Sequence, residues 1–290
     1  MTTVAETFAA PVRIGLGARV WRFVKRHALT AYALLAVGYL MLPIAVVILF
    51  SFNHPRGNFN YVWNRFTFDN WIHWNAPLGI QGAIETSLEV AALATFVATI
   101  LGTLIALALV RHRFVGRSTT NLIVFLPLST PEIVLGASLL TLFLNDRSTL
   151  QLGFWTIFIA HVMFIISFVV VTVKARLIGF DRHLEEAAMD LGANEFVTFR
   201  KVTFPLIAPA MLAAALLGFA LSIDDFVITY LNAGATQTFP IFVWGVARVA
   251  VPPQVNVVAS AIFLVAIALG LGNVIWQYRS AKRTRTQGAQ

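Results

Sequence analysis

The side chains of this chain that could do chemistry are carboxylates set in long apolar runs. Glu132 stands within one run. Asp224 and Asp225 stand side by side in another, with Thr229 one helical turn beyond Asp225. Glu85 and Glu89 sit one turn apart at the end of a third. No Lys or Arg lies within any of these apolar runs to neutralise them. A charge at the centre of a bilayer costs about 2.5–3.5 kcal/mol on insertion scales. Carboxylates placed there lower the energy of a passing cation and repel anions. Multivalent linear cations fit such a path; sulfate, phosphate and molybdate do not.

Each acid also has a plainer reading. Glu85 and Glu89 read as solvated at the membrane interface. Glu132 follows Pro131, which frees a backbone carbonyl in the preceding turn. It lines the path, caps the broken helix, or bonds a neighbouring span while protonated. Asp224 and Asp225 are about 100° apart around a helix, so both cannot face a narrow pore. One lines the path, taken here as Asp225 with Thr229 on the same face. The other bonds a neighbour or carries a proton.

A second polar feature is an island between two apolar segments: Glu185-Glu186-Ala187-Ala188-Met189-Asp190-Leu191-Gly192, closing at Phe204-Pro205. Asp181 is placed to cap a short helix. Leu184, Ala187, Ala188 and Leu191 recur at three- and four-residue steps and share one face. The two alanines are small enough for a partner to approach the backbone. Gly192 suits the left-handed conformation that stops a helix. Asn194 is then placed to cap a second short helix through Lys201. Pro205 falls near the first turn of the next span, where its missing N–H is no loss. The alternative is a solvated helical hairpin with no partner.

These features sit in a chain built for lipid. Apolar residues make up 58% and charged residues 12%, against about 25% charged in a soluble domain. Six runs are long enough to cross a bilayer, given about 20 apolar residues per span. They are Leu29–Phe52, Ile84–Val110, Thr120–Leu144, Gly153–Val173, Leu206–Leu231 and Val255–Tyr278. All are helix-length, so the fold class is an all-α membrane protein. With the N-terminus inside, 17 of the 21 Lys and Arg residues fall on the inner side, leaving Arg56, Arg65, Arg147 and Arg248 outside. That asymmetry puts both termini in the cytoplasm and the polar island with them. It also accounts for the net charge of +8 without a nucleic-acid partner. The organisation is a cytoplasmic N-terminal segment (1–28), a six-helix domain (29–278) with a cytoplasmic loop (174–205), and a basic tail (279–290). Met1–Gly17 is polar and mixed and reads as no signal peptide.

Several functions lack the residues they need. There is no cysteine for a thiolate metal site or disulfide, and the six histidines have no metal-ligand spacing. No Ser or Asp is paired with a base at useful spacing, so no catalytic residue is assigned. No Gly-x-x-x-x-Gly-Lys-[Ser/Thr] loop is present to hold nucleotide phosphates. Trp155 and Trp276 fall near expected interfaces, and Ala98, Gly102 and Ala106 form a small-residue stripe suited to close helix contact. Pro127 and Pro131 are expected to kink span three. The loop Asn53–Gly79 is aromatic and reads as an interfacial cover or a docking surface. Phe239–Val251 is apolar but too short to span, and reads as a re-entrant or surface helix at the outer mouth.

The pattern Glu186-Ala187-Ala188, three residues, Gly192, nine residues, Val202-Thr203-Phe204-Pro205 resembles the cytoplasmic loop signature of ATP-binding-cassette importer permeases. The family prefers Ile and Leu where this chain has Val202 and Phe204. Further motifs are Ser51-Phe52-Asn53, Leu126-Pro127 with Pro131-Glu132-Ile133-Val134-Leu135-Gly136, Ser222 to Thr229, and Pro252-x-x-Val255-Asn256. Together they resemble the second permease of spermidine/putrescine importers, over roughly residues 30–280. The resemblance implies a type I importer-permease (MetI-like) fold in the bacterial cytoplasmic (inner) membrane. It implies an ABC ATPase dimer that binds the ATP, a second and different permease subunit, and an extracytoplasmic solute-binding protein. The ATPase-coupling residues it implies are Glu185, Glu186, Ala187, Ala188, Gly192 and Pro205. No cofactor of the chain's own is implied. Rival readings are a permease for another small organic solute, such as an aminophosphonate, and an ion-coupled secondary transporter.

Overall fold

The computed structural model describes residues 16–57, 59–145 and 150–287. Readings that rest on residues 1–15, Arg147 and the last three residues, and on the side chains of 16–26 and 273–287, Trp276 among them, lie outside the described residues. The chain divides into two compact units: residues 1–74 with 252–290, and residues 75–251.

In the first unit, α1 (Leu16–Ser51) packs against α12 (Pro253–Gln287), and the short α2 (Asp69–Ile72) lies on α12. The Ser51-Phe52-Asn53 motif ends α1. Asn53 is fully buried: its Nδ2 donates to Asn60 Oδ1 and Val62 O, both at 2.7 Å, and its Oδ1 accepts from Asn64 N at 2.8 Å. Asn70 Nδ2 donates to the carbonyls of Ser51 and Asn53. Buried polar groups must be paired, so three asparagines give this loop one shape. Phe52 stacks on Phe66 and Trp71, while Phe66, Phe68 and Tyr61 remain exposed. The aromatic loop is thus a folded cap with an aromatic surface.

In the second unit, α3 (Ile80–Arg111), α6 (Phe154–Ile178) and α9 (Phe204–Asp224) pack on one another. α6 lies at the centre: 61% of its most apolar stretch is buried, against none of the corresponding stretch of α1. The small-residue stripe on α3 is fully buried at Ala91, Ala94, Ala98 and Ala106, with Gly102 among them. A Cβ on Gly102 would lie 2.7 Å from Val169 Cβ and 3.2 Å from the Ile166 carbonyl. A Cβ on Gly218 of α9 would lie 2.5 Å from Ile165 Cγ2. Lipid provides no hydrophobic drive for helices to associate, so close packing through small residues holds this bundle together. Gly102→Leu is therefore expected to destabilise the bundle by more than the about 1–3 kcal/mol of ordinary overpacking. Gly38→Leu on α1, where nothing lies within 4 Å, should not. Thermal aggregation in detergent separates the two.

Among the described residues, five helices are long and apolar enough to cross a membrane, or up to six if a bent pair is one span. The pair is span three. It is not kinked but broken: α4 (Arg117–Ser129) and α5 (Glu132–Phe143) meet at 112°. Pro131 bars the residue before it from helical backbone, and Thr130 is extended at φ −89, ψ 133. Pro131 itself is extended at ψ 134, so two consecutive residues turn the chain. Span five also departs from one continuous helix. α9 stops at Asp224, and a separate α10 covers Val227–Asn232. α5 and α10, the segments after each break, pack together. Gly136 meets Ile228 Cα, and Asn232 Nδ2 donates to the Gly136 carbonyl at 3.2 Å. The apolar stretch after Gly234 forms α11 (Phe239–Ala247), which packs on α3.

Candidate functional site

The polar island folds as α7 (His183–Asp190), α8 (Glu195–Thr198), and a π-helical turn, Phe199–Thr203, that runs directly into α9. Gly192 is left-handed at φ 87. Gly192 N donates to Met189 O and Ala193 N to Ala188 O, the two bonds that close a helix of this kind. Asn194 caps α8 by accepting from Val197 N at 2.9 Å. The helix it starts does not stop at Lys201. It continues through the π-turn, whose wider spacing lies just ahead of Pro205, a residue with no N–H to give. Asp181 accepts from His183 N at 3.1 Å and from its ring at 2.6 Å. That ring bond holds the Asp181 carboxyl below the usual carboxylate range and raises His183 above the usual imidazole value.

Glu185 and Glu186 have opposite environments. Glu186 and Ala187 are exposed, and Ala188 is half-buried. Glu185 points inward. Arg111 Nη2, at the end of α3, donates to Glu185 Oε1 at 2.7 Å, with the two side chains 12% and 14% exposed. Thr203 Oγ1, in the π-turn, donates to the same oxygen at 2.5 Å. Glu185 is therefore a strut between three elements rather than part of the outer face. That face carries exposed Leu184 at 50% and Leu191 at 91%, and Phe196 of α8 is 71% exposed. Spacing does not single out Phe196, since one Phe on a helix of this length sets no periodic face. Gly192→Ala should strain the closing turn by about 1 kcal/mol. Faster proteolysis within the loop, with the spans intact, would register it.

The acids gather at the two helix breaks. Glu132 is the first residue of α5 and is exposed. Asp224 is the last residue of α9 and is exposed. Asp225 lies in the break, with φ −65 and ψ 123, and is 9% exposed. Its Oδ2 accepts from Thr229 N and Thr229 Oγ1, both at 2.7 Å, so the carboxylate caps α10. His161 of α6 reaches it as well, with Nε2 3.4 Å from Asp225 Oδ2. The expected assignment is reversed: Asp225 is the bonded acid and Asp224 the open one. Thr229, expected beside Asp225 on an open face, is buried with it. Nor is Asp225 unpaired, since the titratable partner comes from another span. A histidine inside a 25-residue apolar helix was the available signal. Screening histidines for metal spacing alone passes over it. Glu85 and Glu89 are exposed, and Glu85 accepts from Gln81 Nε2 at 2.8 Å.

Position makes Asp224 receptive to cations. The carbonyl end of a helix carries about half a negative charge, and a carboxylate there is of like sign. The two together favour a cation. Neither lipid nor a packed apolar core suits an ionised acid, so an exposed carboxylate at the end of an apolar span needs water or another polypeptide beside it. Broken helices at membrane depth are tolerated where they line such a cavity.

The sequence profile of the family described as "Binding-protein-dependent transport system inner membrane component" matches residues 98–286. A spermidine/putrescine transport system permease protein, PotC, of Haemophilus influenzae is 36% identical over 251 residues, covering 86% of this chain and 94% of that one. The protein of the same name in Escherichia coli K12 is 37% identical over 236 residues, covering 80% and 86%. The putrescine transport system permease protein PotI of E. coli K12 is 35% identical over 259 residues, covering 86% and 89%. Among solved structures, a bacterial ABC transporter for import of the acidic polysaccharide alginate aligns with TM-score 0.63 at 17% identity, over 90% of this chain and 98% of that one. At that identity the likeness speaks for the fold.

Proposed function

The chain belongs to the family of binding-protein-dependent transport system inner membrane components, and on that footing we propose that it forms half of a polyamine path through the membrane. It is a permease subunit of an ABC importer in the bacterial inner membrane, not a catalytic subunit. The observation that carries the cargo class is Asp224: an open carboxylate on the carbonyl end of a broken span, in a chain whose relatives are named for spermidine and putrescine. Glu132, at the other break, is a second candidate lining residue. Asp225 and Thr229 shape the path rather than line it.

The remaining parts follow the same reading. Both termini and the polar island face the cytoplasm. A separate ATPase dimer binds and hydrolyses the ATP and grips the loop at Glu186, Ala187 and Ala188. Glu185, Gly192 and Pro205 set the loop's shape and its join to α9. A second permease completes the path, and an external binding protein delivers the cargo. The chain needs no cofactor of its own.

Uptake of radiolabelled putrescine and spermidine tests this, in cells stripped of their own polyamine importers and supplied with the complete system. Uptake should stop when the partner ATPase is inactivated. Uptake that persists on an ion gradient, or that an aminophosphonate abolishes by competition, would sink the proposal. Asp224→Asn should raise KM for spermidine about tenfold, the loss of roughly 1.4 kcal/mol. An unchanged KM would remove Asp224 from the path.

A further inference from the structure

Span five breaks without the residues that force a break. The segment Ser222-Ile-Asp-Asp-Phe-Val-Ile-Thr229 contains neither Gly nor Pro. Its local signal is the Asp225 cap on α10, which starts a helix but does not bar one from running through. The break in span three has Pro131; the break in span five also has a contact from outside the segment.

One side chain on α6 is placed to hold it. His161 is 2% exposed, and its two ring nitrogens reach opposite sides of the break. Nδ1 lies 2.6 Å from Ser222 Oγ, in the last turn of α9. Nε2 lies 2.8 Å from Thr229 Oγ1, in the first turn of α10. Thr229 Oγ1 spends its one proton on Asp225 Oδ2, so it accepts from His161 Nε2–H. In the neutral ring, Nδ1 then accepts from the Ser222 hydroxyl. The result is a directed chain: Ser222 to His161, His161 to Thr229, Thr229 to Asp225. Every hydroxyl and ring nitrogen in it is satisfied, which is when a buried polar network becomes rigid.

We propose that His161 is a positioning residue that latches span five open at Asp225 and thereby presents Asp224 at the end of α9. Without the ring, α9 has no tie to α6 at Ser222, and the Asp225–Thr229 cap has no anchor outside its own segment. α10 keeps its ties through Asn232, to the Gly136 carbonyl and from Thr156 Oγ1, so what loosens is the break itself. Loosening there shifts the Asp224 carboxylate relative to the α6 wall and lets the carbonyls beside it close up. The inference rests on the reading of Asp224 as a path residue, but its test needs no cargo.

The chain has no cysteine, so a single introduced thiol reports on one place. Asp224→Cys is made in the complete importer, and its reaction with a small, positively charged thiol reagent is timed on this subunit. In the same background, His161→Leu should slow labelling at least fivefold. His161→Gln keeps a donor and an acceptor on one side chain and should stay within twofold of native His161. A purely structural role for His161 lowers the amount of assembled complex without changing the rate in what assembles. Equal rates with His161 and His161→Leu overturn the proposal. So does a His161→Gln rate as low as that of His161→Leu. Should His161→Leu fail to assemble, Thr229→Val against Thr229→Ser decides. Val keeps the shape and loses the hydroxyl link, so its rate should fall while that of Ser holds; equal rates overturn the latch. A failure of polyamine uptake by the unmodified importer would count against the proposed cargo and leave these labelling rates to judge the latch by themselves.

Discussion

Arg111→Leu is expected to lower ATP-driven uptake about a hundredfold. Removing one member of a buried ion pair strands the other, at about 3–5 kcal/mol, and the lower end applies here because both side chains keep some solvent contact. The lost charge has a second role, since the guanidinium also lies over the Phe180 ring, 5.4 Å from its centroid. Glu185 would keep only Thr203 as a partner. Its strain would fall on the junction of α3, α7 and the π-turn, where the loop meets the bundle through side chains. Glu185→Gln should be milder, because an amide oxygen still accepts from both Arg111 and Thr203, but it leaves the guanidinium without a counter-charge and should lower uptake as well. Uptake per assembled complex measures the effect. Near-native uptake by Arg111→Leu would mean that the strut carries no motion.

The second large effect lies on α7, on the face opposite Glu185. Ala187→Trp should abolish capture of the partner ATPase and reduce uptake at least tenfold. Ala187 is exposed, and substitutions at such positions usually change stability by no more than about 0.5 kcal/mol. The permease should therefore remain folded and membrane-inserted while losing its motor. Co-purification of the ATPase with the permease, set beside the permease's own melting temperature, separates docking from folding. Retained co-purification would show that the gripped surface lies elsewhere. The exposed Leu191 and Phe196 are the next positions to examine on this face.

Both predictions turn on α7, yet its residues are not equally legible in the sequence. Ala187, Ala188 and Gly192 are legible because their roles are local. A small residue permits close approach wherever it is exposed, and a left-handed turn calls for glycine in any fold. Glu185 and Glu186 are indistinguishable by type and adjacent in sequence. What separates them is Arg111, 74 residues away. The acids of span five repeat the lesson. The rule that two neighbours on a helix cannot share one face correctly requires their roles to differ. It could not say which acid was which, and the choice of Asp225 for the path went to the one that is buried.

The amino-acid sequence by itself determined the features that depend on neighbours along the chain. These are the long apolar runs, the helix-length spans, the stripe of small residues on α3 and the disruption at Pro131, along with the caps at Asn194 and Gly192. The tertiary structure alone decided the 112° turn of span three, the break at Asp225, the inward turn of Glu185 and the enclosure of His161. The reason is physical. Helix formation and membrane insertion sum contributions from residues a few positions apart. A hydrogen bond between Ser222 or Thr229 and His161 spans 61 or 68 residues, and exists only once packing brings α6 against α9 and α10.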